Sequence, residues 1–343
     1  MKVLNFFYEN YQKLETSYER KVQIIKPNVL IKGPRHCGKK TLIYNYLSAY
    51  TQEQILFLDL YDIRFELSSL ENLVQFLQLH TKIQILCMCN LDFVFDIKGI
   101  KIPIIASTQR KDLSIVGFNE LELDYFDFEE FISLSKKNLP INSMLGLFLQ
   151  TGRSGLKEKD IRCIFSRLEL EILKYIAKNL AHQISIRKLF LELKKKSKVS
   201  KDSVYQAIKV LENSFLLYVV FHDEKNLKKV YFRDFAFRNA LCIQKDFKAL
   251  FENAILTELF KLKTQIFYNK FFTFYIKNSK TAYIASATLD VDLITIRARK
   301  ILPKALELGV FHIFFITLSS EKSFFEQGVK FEIVPFEKWA LSF

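Results

Sequence analysis

The stretch Gly33-Pro34-Arg35-His36-Cys37-Gly38-Lys39-Lys40-Thr41 has the residue types and spacing to hold a phosphate chain. It fits G-x-x-x-x-G-K-[ST] at Gly33, Gly38 and Lys39, and departs at Lys40, where a Ser or Thr is required. In such a loop the backbone N–H groups and the following helix N-terminus make an anion site. The motif lysine, here Lys39, reaches the terminal phosphates, and the amides of Arg35 to Lys40 cradle them. The missing hydroxyl is the one that ligates Mg²⁺. The chemistry expected is ATP binding, with the part played by Mg²⁺ open and hydrolysis weak or absent. Two readings of Lys40 stand. Either it faces solvent in the first helical turn, with Thr41 displaced into the ligand role, or its ammonium fills the place of the metal charge.

A hydrolytic P-loop protein carries a second acidic motif, an apolar strand ending in Asp and often Glu. The corresponding stretch is Ile85-Leu86-Cys87-Met88-Cys89-Asn90-Leu91-Asp92. No acid follows the apolar run directly, Asn90 is a poor base, and Asp92 comes two residues late. Both positions linked to Mg²⁺ therefore depart from the pattern, and no metal ligand is assigned.

These residues need a sheet to hold them. Val29-Leu30-Ile31 reads as the strand before the loop and Leu42–Ala49 as the helix after it. Ile55–Leu60, Ile83–Cys89 and Ile102–Ala106 read as further strands, with a helix at Leu70–Leu79. Continuous apolar strands alternating with helices predict a parallel α/β sheet covered on both faces, with ligands at the strands' carboxyl ends. Phe6, Phe7, Tyr11, Leu14 and Tyr18 are spaced for a helix within 1–27. Leu121-Glu122-Leu123 reads as a short strand, and Asp127 with Glu130 as a capping box.

The middle of the chain predicts helices at Leu168–Leu180, Ile186–Leu193 and Ser203–Phe215, then a hairpin of Leu216–His222 and Lys229–Arg233. Three helices and a two-stranded wing predict a winged helix, with Lys201, Ser203, Gln206 and Lys209 outward on the third helix. Lys194, Lys195, Lys196 and Lys198 precede it. This makes 187–216 a candidate DNA surface; the competing reading is a packing domain with a solvated lysine loop. Farther on, Ala249–Lys261 and Ile301–Leu308 read as helices. Phe271–Lys277, Thr281–Ala285, Asp292–Arg297, Phe311–Thr317 and Phe331–Val334 read as strands. Asp290-Val291-Asp292 reads as a turn and cap.

Taken in order, these pieces resemble the AAA-type P-loop ATPases of bacteria and archaea whose C-terminal half carries a winged helix and a restriction-endonuclease-like domain. The loop, Phe57-Leu58-Asp59, Ile104-Ile105-Ala106-Ser107, Leu121-Glu122-Leu123 and Phe126–Phe131 carry the resemblance. So do Lys229–Asp234, Phe251-Glu252-Asn253 and Phe331–Leu341. The resemblance implies three domains: a P-loop AAA-type domain over 1–138, a winged helix over 139–245, and a small α/β nuclease-like domain over 246–343. It places Ser107 near a position that senses the γ-phosphate. Family members usually have Thr at 40, Asp-Glu around 89–90 and Arg at 118, where this chain has Lys40, Cys89-Asn90 and Phe118. A nuclease of this type needs an acid on its second strand and an acid-x-Lys pair on the next. Tyr283-Ile284-Ala285 and Leu293–Arg297 offer no carboxylate, and Glu252 stands alone, so nuclease activity is not expected.

The net charge of +14 over 343 residues suits a polyanion partner. A chain rich in Lys, Phe, Ile, Leu and Asn also gathers lysines from biased coding sequence, and both explanations stand. The five cysteines are scattered, odd in number and without C-x-x-C spacing, so neither disulfides nor zinc is expected. Cys87 and Cys89 share a strand face as core. The Phe-rich pairs 271–272, 314–315 and 324–325 read as packing. No apolar run reaches the roughly 18 residues of a membrane span, and the first residues do not form a signal peptide, so a cytoplasmic location is expected. The function expected is an ATP-binding, nucleotide-dependent switch. The alternatives are a DNA-binding winged-helix protein with a vestigial nucleotide site, or a protein-interaction scaffold.

Overall fold

A computed structural model describes residues 1–12, 20–135, 139–154, 164–196 and 198–342. The chain divides into two compact units: Met1–Tyr125 with Asn213–Phe215, and Phe126–Glu212 with Leu216–Phe343. The boundaries drawn from sequence at 138/139 and 245/246 both fall within the span of the second.

The first unit is a five-stranded parallel sheet. Its strands are β1 (Val29–Lys32), β2 (Ile55–Asp59), β3 (Ile85–Cys89), β4 (Ile104–Thr108) and β5 (Asn119–Glu122). Their order is β2-β3-β4-β1-β5, and every neighbouring pair is parallel. The apolar runs are continuous because both faces are buried. Leu30, Leu56, Leu58, Leu86, Met88 and Ala106 pack against Leu4 and Phe7 of α1 (Lys2–Glu9) and Leu73 and Phe76 of α3 (Leu73–Leu79). The alternate residues Val29, Ile31, Ile55, Phe57, Ile85, Cys87, Cys89 and Ile105 face Leu42, Ile43 and Leu47 of α2 (Lys39–Leu47). This is a parallel sheet of the kind a P-loop domain uses. The two core cysteines lie where the sequence puts them. Phe118 packs with the α1/α3 cluster. The expected lead-in helix is described only as α1; Leu14 and Tyr18 lie outside the described residues.

The second unit joins helices to an eight-stranded sheet. Asp127 caps α4 (Phe128–Leu134) through the expected capping box with Glu130. After α5 (Ile141–Thr151) come helices Arg167–Lys178, Ile186–Lys196 and Lys201–Asn213. Ser200 Oγ accepts the Ser203 N–H at 3.0 Å, which settles the start of the third. The hairpin is β6 (Leu217–His222) with β7 (Lys228–Phe232). It is not a free wing. Phe221 and His222 of β6 pair in parallel with Phe267 and Tyr268 of β8, and the sheet continues through β9 (Phe274–Ile276), β10 (Thr281–Ala285), β11 (His312–Thr317), β13 (Val329–Pro335) and β12 (Lys322–Glu326).

One expected strand is a helix. Residues 292–297 belong to the helix Val291–Glu307, which also absorbs most of the helix expected at 301–308. The Asp290 carboxylate accepts the N–H groups of Asp292 at 2.8 Å and Leu293 at 3.1 Å, an N-cap that starts a helix there. Its buried residues Ile294, Ala298, Ile301, Leu302 and Ala305 follow the helical period. The β-branched run Ile294-Thr295-Ile296 suggests a strand only when read in isolation. The strand parallel to β10 is therefore β11, His312-Ile313-Phe314-Phe315-Ile316-Thr317, which also carries no Asp or Glu. Glu252 is engaged by Lys229 at 3.0 Å and by the Tyr231 hydroxyl.

Candidate nucleotide site

The loop from Gly33 to Lys39 joins β1 to α2, the strand–loop–helix setting the motif requires. Two constraints shape it. A Cβ on Gly33 would stand 2.0 Å from the Leu123 carbonyl oxygen, so the chain leaving β5 lies directly against this glycine. The Leu123 N–H donates to the Lys32 carbonyl at 2.8 Å and fixes that approach. His36 (φ 62°) and Gly38 (φ 95°) take left-handed backbone, and alternation of that kind turns successive N–H groups towards an anion. Leu42 N–H to Gly38 C=O, 3.0 Å, is the helical bond that follows. The amides of Lys39, Lys40 and Thr41 thus belong to the first turn, which has no intrahelical acceptors. Pro34 and Cys37 are buried, while Arg35 and His36 are exposed at the crown.

Lys39 is 7% exposed. Its ammonium bends back to the carbonyls of Gly33 at 2.8 Å and Pro34 at 2.6 Å. Burial pushes its pKa down, and the Arg35 charge adds to this, although Cys37 and Cys89 oppose it. A buried ammonium held by neutral carbonyl dipoles gains from an anion placed beside it.

Lys40 is placed differently. Its ammonium pairs with Asp59, the last residue of β2. Burial opposes the charged form, but the hydrogen bond and charge of Asp59 outweigh it and raise the Lys40 pKa. The other Asp59 oxygen accepts Asn90 Nδ2 at 2.7 Å, and Asn90 Oδ1 accepts Gln109 Nε2 at 3.5 Å. Asn90 (φ 61°) turns the chain at the end of β3, and its N–H donates to Ser107 Oγ at 3.4 Å. Lys40, Asp59, Asn90, Ser107 and Gln109 thus gather at the carboxyl ends of β2, β3 and β4. Thr41, one residue on from Lys40, is turned about 100° around the helix. Asp92 lies exposed beyond this group.

The residues present do not fit an ordinary Mg²⁺ site. A lysine stands where the hydroxyl ligand belongs. Burial pushes the Cys89 thiol up to about 12, so it brings no anionic donor to the end of β3. Among the described residues no group of three or more His, Cys, Asp or Glu side chains could hold a metal ion.

Two residues of the site have no role that spacing assigns. Asp59 falls inside the expected strand Ile55–Leu60 and in a stretch that carries the resemblance, but nothing in the sequence links it to Lys40 or Asn90. Arg20 carries no motif at all. It is buried, its guanidinium donates to the carbonyls of Cys37 at 2.5 Å and Asp124 at 2.9 Å, and it braces the loop from outside. Beside it lies a cavity of about 180 Å³ lined by Arg20, Val22, Gln23 and Ile24 on one side and Leu42, Asn45 and Tyr46 of α2 on the other.

Among the described residues no helix is long and apolar enough to cross a membrane. No family model matches the sequence, and no curated protein is similar to it. Several solved structures resemble the fold distantly, two of them as follows. The Walker-type ATPase of Pyrococcus abyssi is 14% identical over 70% of this chain and 93% of its own, with a TM-score of 0.41. A chain from the structure of Drosophila ORC bound to AT-rich DNA and Cdc6 is 13% identical over 62% of this chain and 84% of its own, with a TM-score of 0.21. Likenesses this distant do not bear on function.

Proposed function

We propose that the protein binds ATP through Gly33–Thr41 and works as an AAA-type nucleotide-dependent switch with weak or absent hydrolysis. The observation that carries this is the loop: left-handed backbone at His36 and Gly38, leading into the first turn of α2, with the buried Lys39 ammonium inside it. Lys39 holds the β- and γ-phosphates in this reading, and the amides of Arg35 to Lys40 surround them. The cavity beside α2 takes the base, between apolar walls from Val22, Ile24, Leu42 and Tyr46 and within reach of the Gln23 and Asn45 amides. Weak hydrolysis follows from the neutral Cys89-Asn90 pair, which supplies no base for water.

Calorimetric titration with ATP tests the reading. Lys39→Ala removes a charge-assisted contact of about 1.5–3 kcal/mol, so affinity should fall about 10- to 100-fold. Equal affinities for the native chain and Lys39→Ala refute it.

A second reading, a winged-helix DNA surface over 187–216, is favoured by one observation. Lys194, Lys195, Lys196, Lys198, Lys201, Gln206 and Lys209 are all exposed. Its mark is an affinity for duplex DNA that falls steeply with salt and flattens when Lys194–Lys196 are neutralised. No binding at low salt removes it.

A further inference from the structure

The pairing of Lys40 with Asp59 carries an inference that rests on the ATP-binding reading and deepens it. A P-loop places its Ser or Thr hydroxyl on Mg²⁺, and that ion neutralises the β- and γ-phosphates. Here the same position presents an ammonium, and Asp59 anchors it from the end of β2. Asp59 is a carboxylate within reach of this position, and both its oxygens are engaged, one by Lys40 and one by Asn90 at 2.7 Å. Asn90 is itself steadied by Gln109. The arrangement is a built network and not a stray surface lysine. Side-chain exposure is 46% for Lys40 and 23% for Asp59, so the pair is not sealed from solvent.

We propose that the Lys40 ammonium supplies the positive charge that a divalent cation supplies in other P-loops, so that this loop takes the nucleoside triphosphate without Mg²⁺. An ammonium has three donors and no acceptor. One donor stays on Asp59, and the other two are available to phosphate oxygens. Lys39 approaches from within the loop and Lys40 from the adjoining end of β2. A divalent ion at the same point would meet a like charge, and it would find Asp59 already committed. Free ATP is therefore the preferred ligand over its Mg²⁺ complex.

The test is ATP affinity of the full chain, by calorimetry, in EDTA and in millimolar Mg²⁺, for the native protein, Lys40→Thr and Lys40→Arg. The native chain should bind at least as tightly in EDTA as with Mg²⁺. Lys40→Thr should lose about tenfold or more in EDTA, the equivalent of one charge-assisted contact. It should recover affinity when Mg²⁺ is added, because the hydroxyl is restored and Asp59 is released. Lys40→Arg should keep binding in EDTA. A native chain that needs Mg²⁺ for tight binding overturns the inference and leaves the ATP reading standing. A native chain that binds ATP in neither condition overturns both. Unchanged affinity of Lys40→Thr in EDTA also overturns it. Should Lys40→Thr fail to fold, the native comparison with and without Mg²⁺ decides alone.

Discussion

Replacing Gly33 with alanine sets a Cβ 2.0 Å from the Leu123 carbonyl oxygen and 3.0 Å from Cys37 Sγ. A carbon and a carbonyl oxygen approach no closer than about 3.3 Å, so the chain leaving β5 must retreat by about 1.3 Å. The obstacle is backbone, and no side-chain rotation relieves it. The retreat breaks or stretches the 2.8 Å bond from the Leu123 N–H to the Lys32 carbonyl, a loss of about 1 kcal/mol. Crowding adds about 1–3 kcal/mol, and a less flexible unfolded chain returns about 0.4–1 kcal/mol. The expected net destabilisation is about 1–3.5 kcal/mol. Gly38→Ala differs. Its Cβ meets only Arg20 Nη1, at 3.4 Å, and the cost is the left-handed backbone, about 1–2 kcal/mol. Urea denaturation followed by circular dichroism measures both, and hydrogen exchange at the β5 amides locates the Gly33 effect. Gly33→Ala should be the less stable of the two, with faster exchange in β5. Stability within about 0.5 kcal/mol of the native chain would refute the account of Gly33 as a packing glycine.

Three other outcomes follow from the structure. The Lys39 pKa is lowered in the free protein by burial, and phosphate must raise it again. ATP binding should therefore take up a proton on the alkaline side and weaken as pH rises through the lowered value; calorimetry in buffers of differing ionisation heat reads the uptake. Glu258, fully buried, accepts the Phe128 N–H at 3.0 Å and pairs with Lys261 at 2.8 Å, so Glu258→Ala should cost about 3 kcal/mol in urea denaturation. Burial raises its pKa against the pull of Lys261. The stability it contributes is thus full below its unfolded pKa and is lost as pH rises through the folded one, and Glu258→Gln should flatten that part of the stability curve. Asp234, also fully buried, accepts the N–H groups of Arg153 and Ser154 at 2.9 Å and Ala236 at 3.0 Å. Orphaning those donors with Asp234→Ala should cost about 3 kcal/mol or more by the same measurement.

The first unit was largely legible because its physics is local. A doubly buried strand must be apolar throughout, and β1 to β4 each announce themselves that way. The loop was legible because its glycines and lysine have fixed offsets. What escaped depends on chain segments distant in sequence. Asp59 acquires its meaning from Lys40 and Asn90, and Arg20 from the carbonyls of Cys37 and Asp124; no spacing rule reaches either. The strand expected at 292–297 failed for a different reason. Its β-branched run outweighed the helical period that only a longer window, out to Ala305, reveals. The two-residue β8 is too short to leave any pattern, yet it links the hairpin to the rest of the eight-stranded sheet.

That short link governs how the second unit can be made. Chain synthesis completes β6 and β7 first, and β8 does not exist until about 36 residues later, at Tyr268. At about 5–20 residues per second the delay is about 2–7 s. Throughout it the Phe221–His222 edge of the newborn hairpin has no neighbour, and an unpaired edge is a template for the wrong strand. The interval between Phe232 and Tyr268 is thus a stage of biosynthesis at which this hairpin edge is open to mispairing.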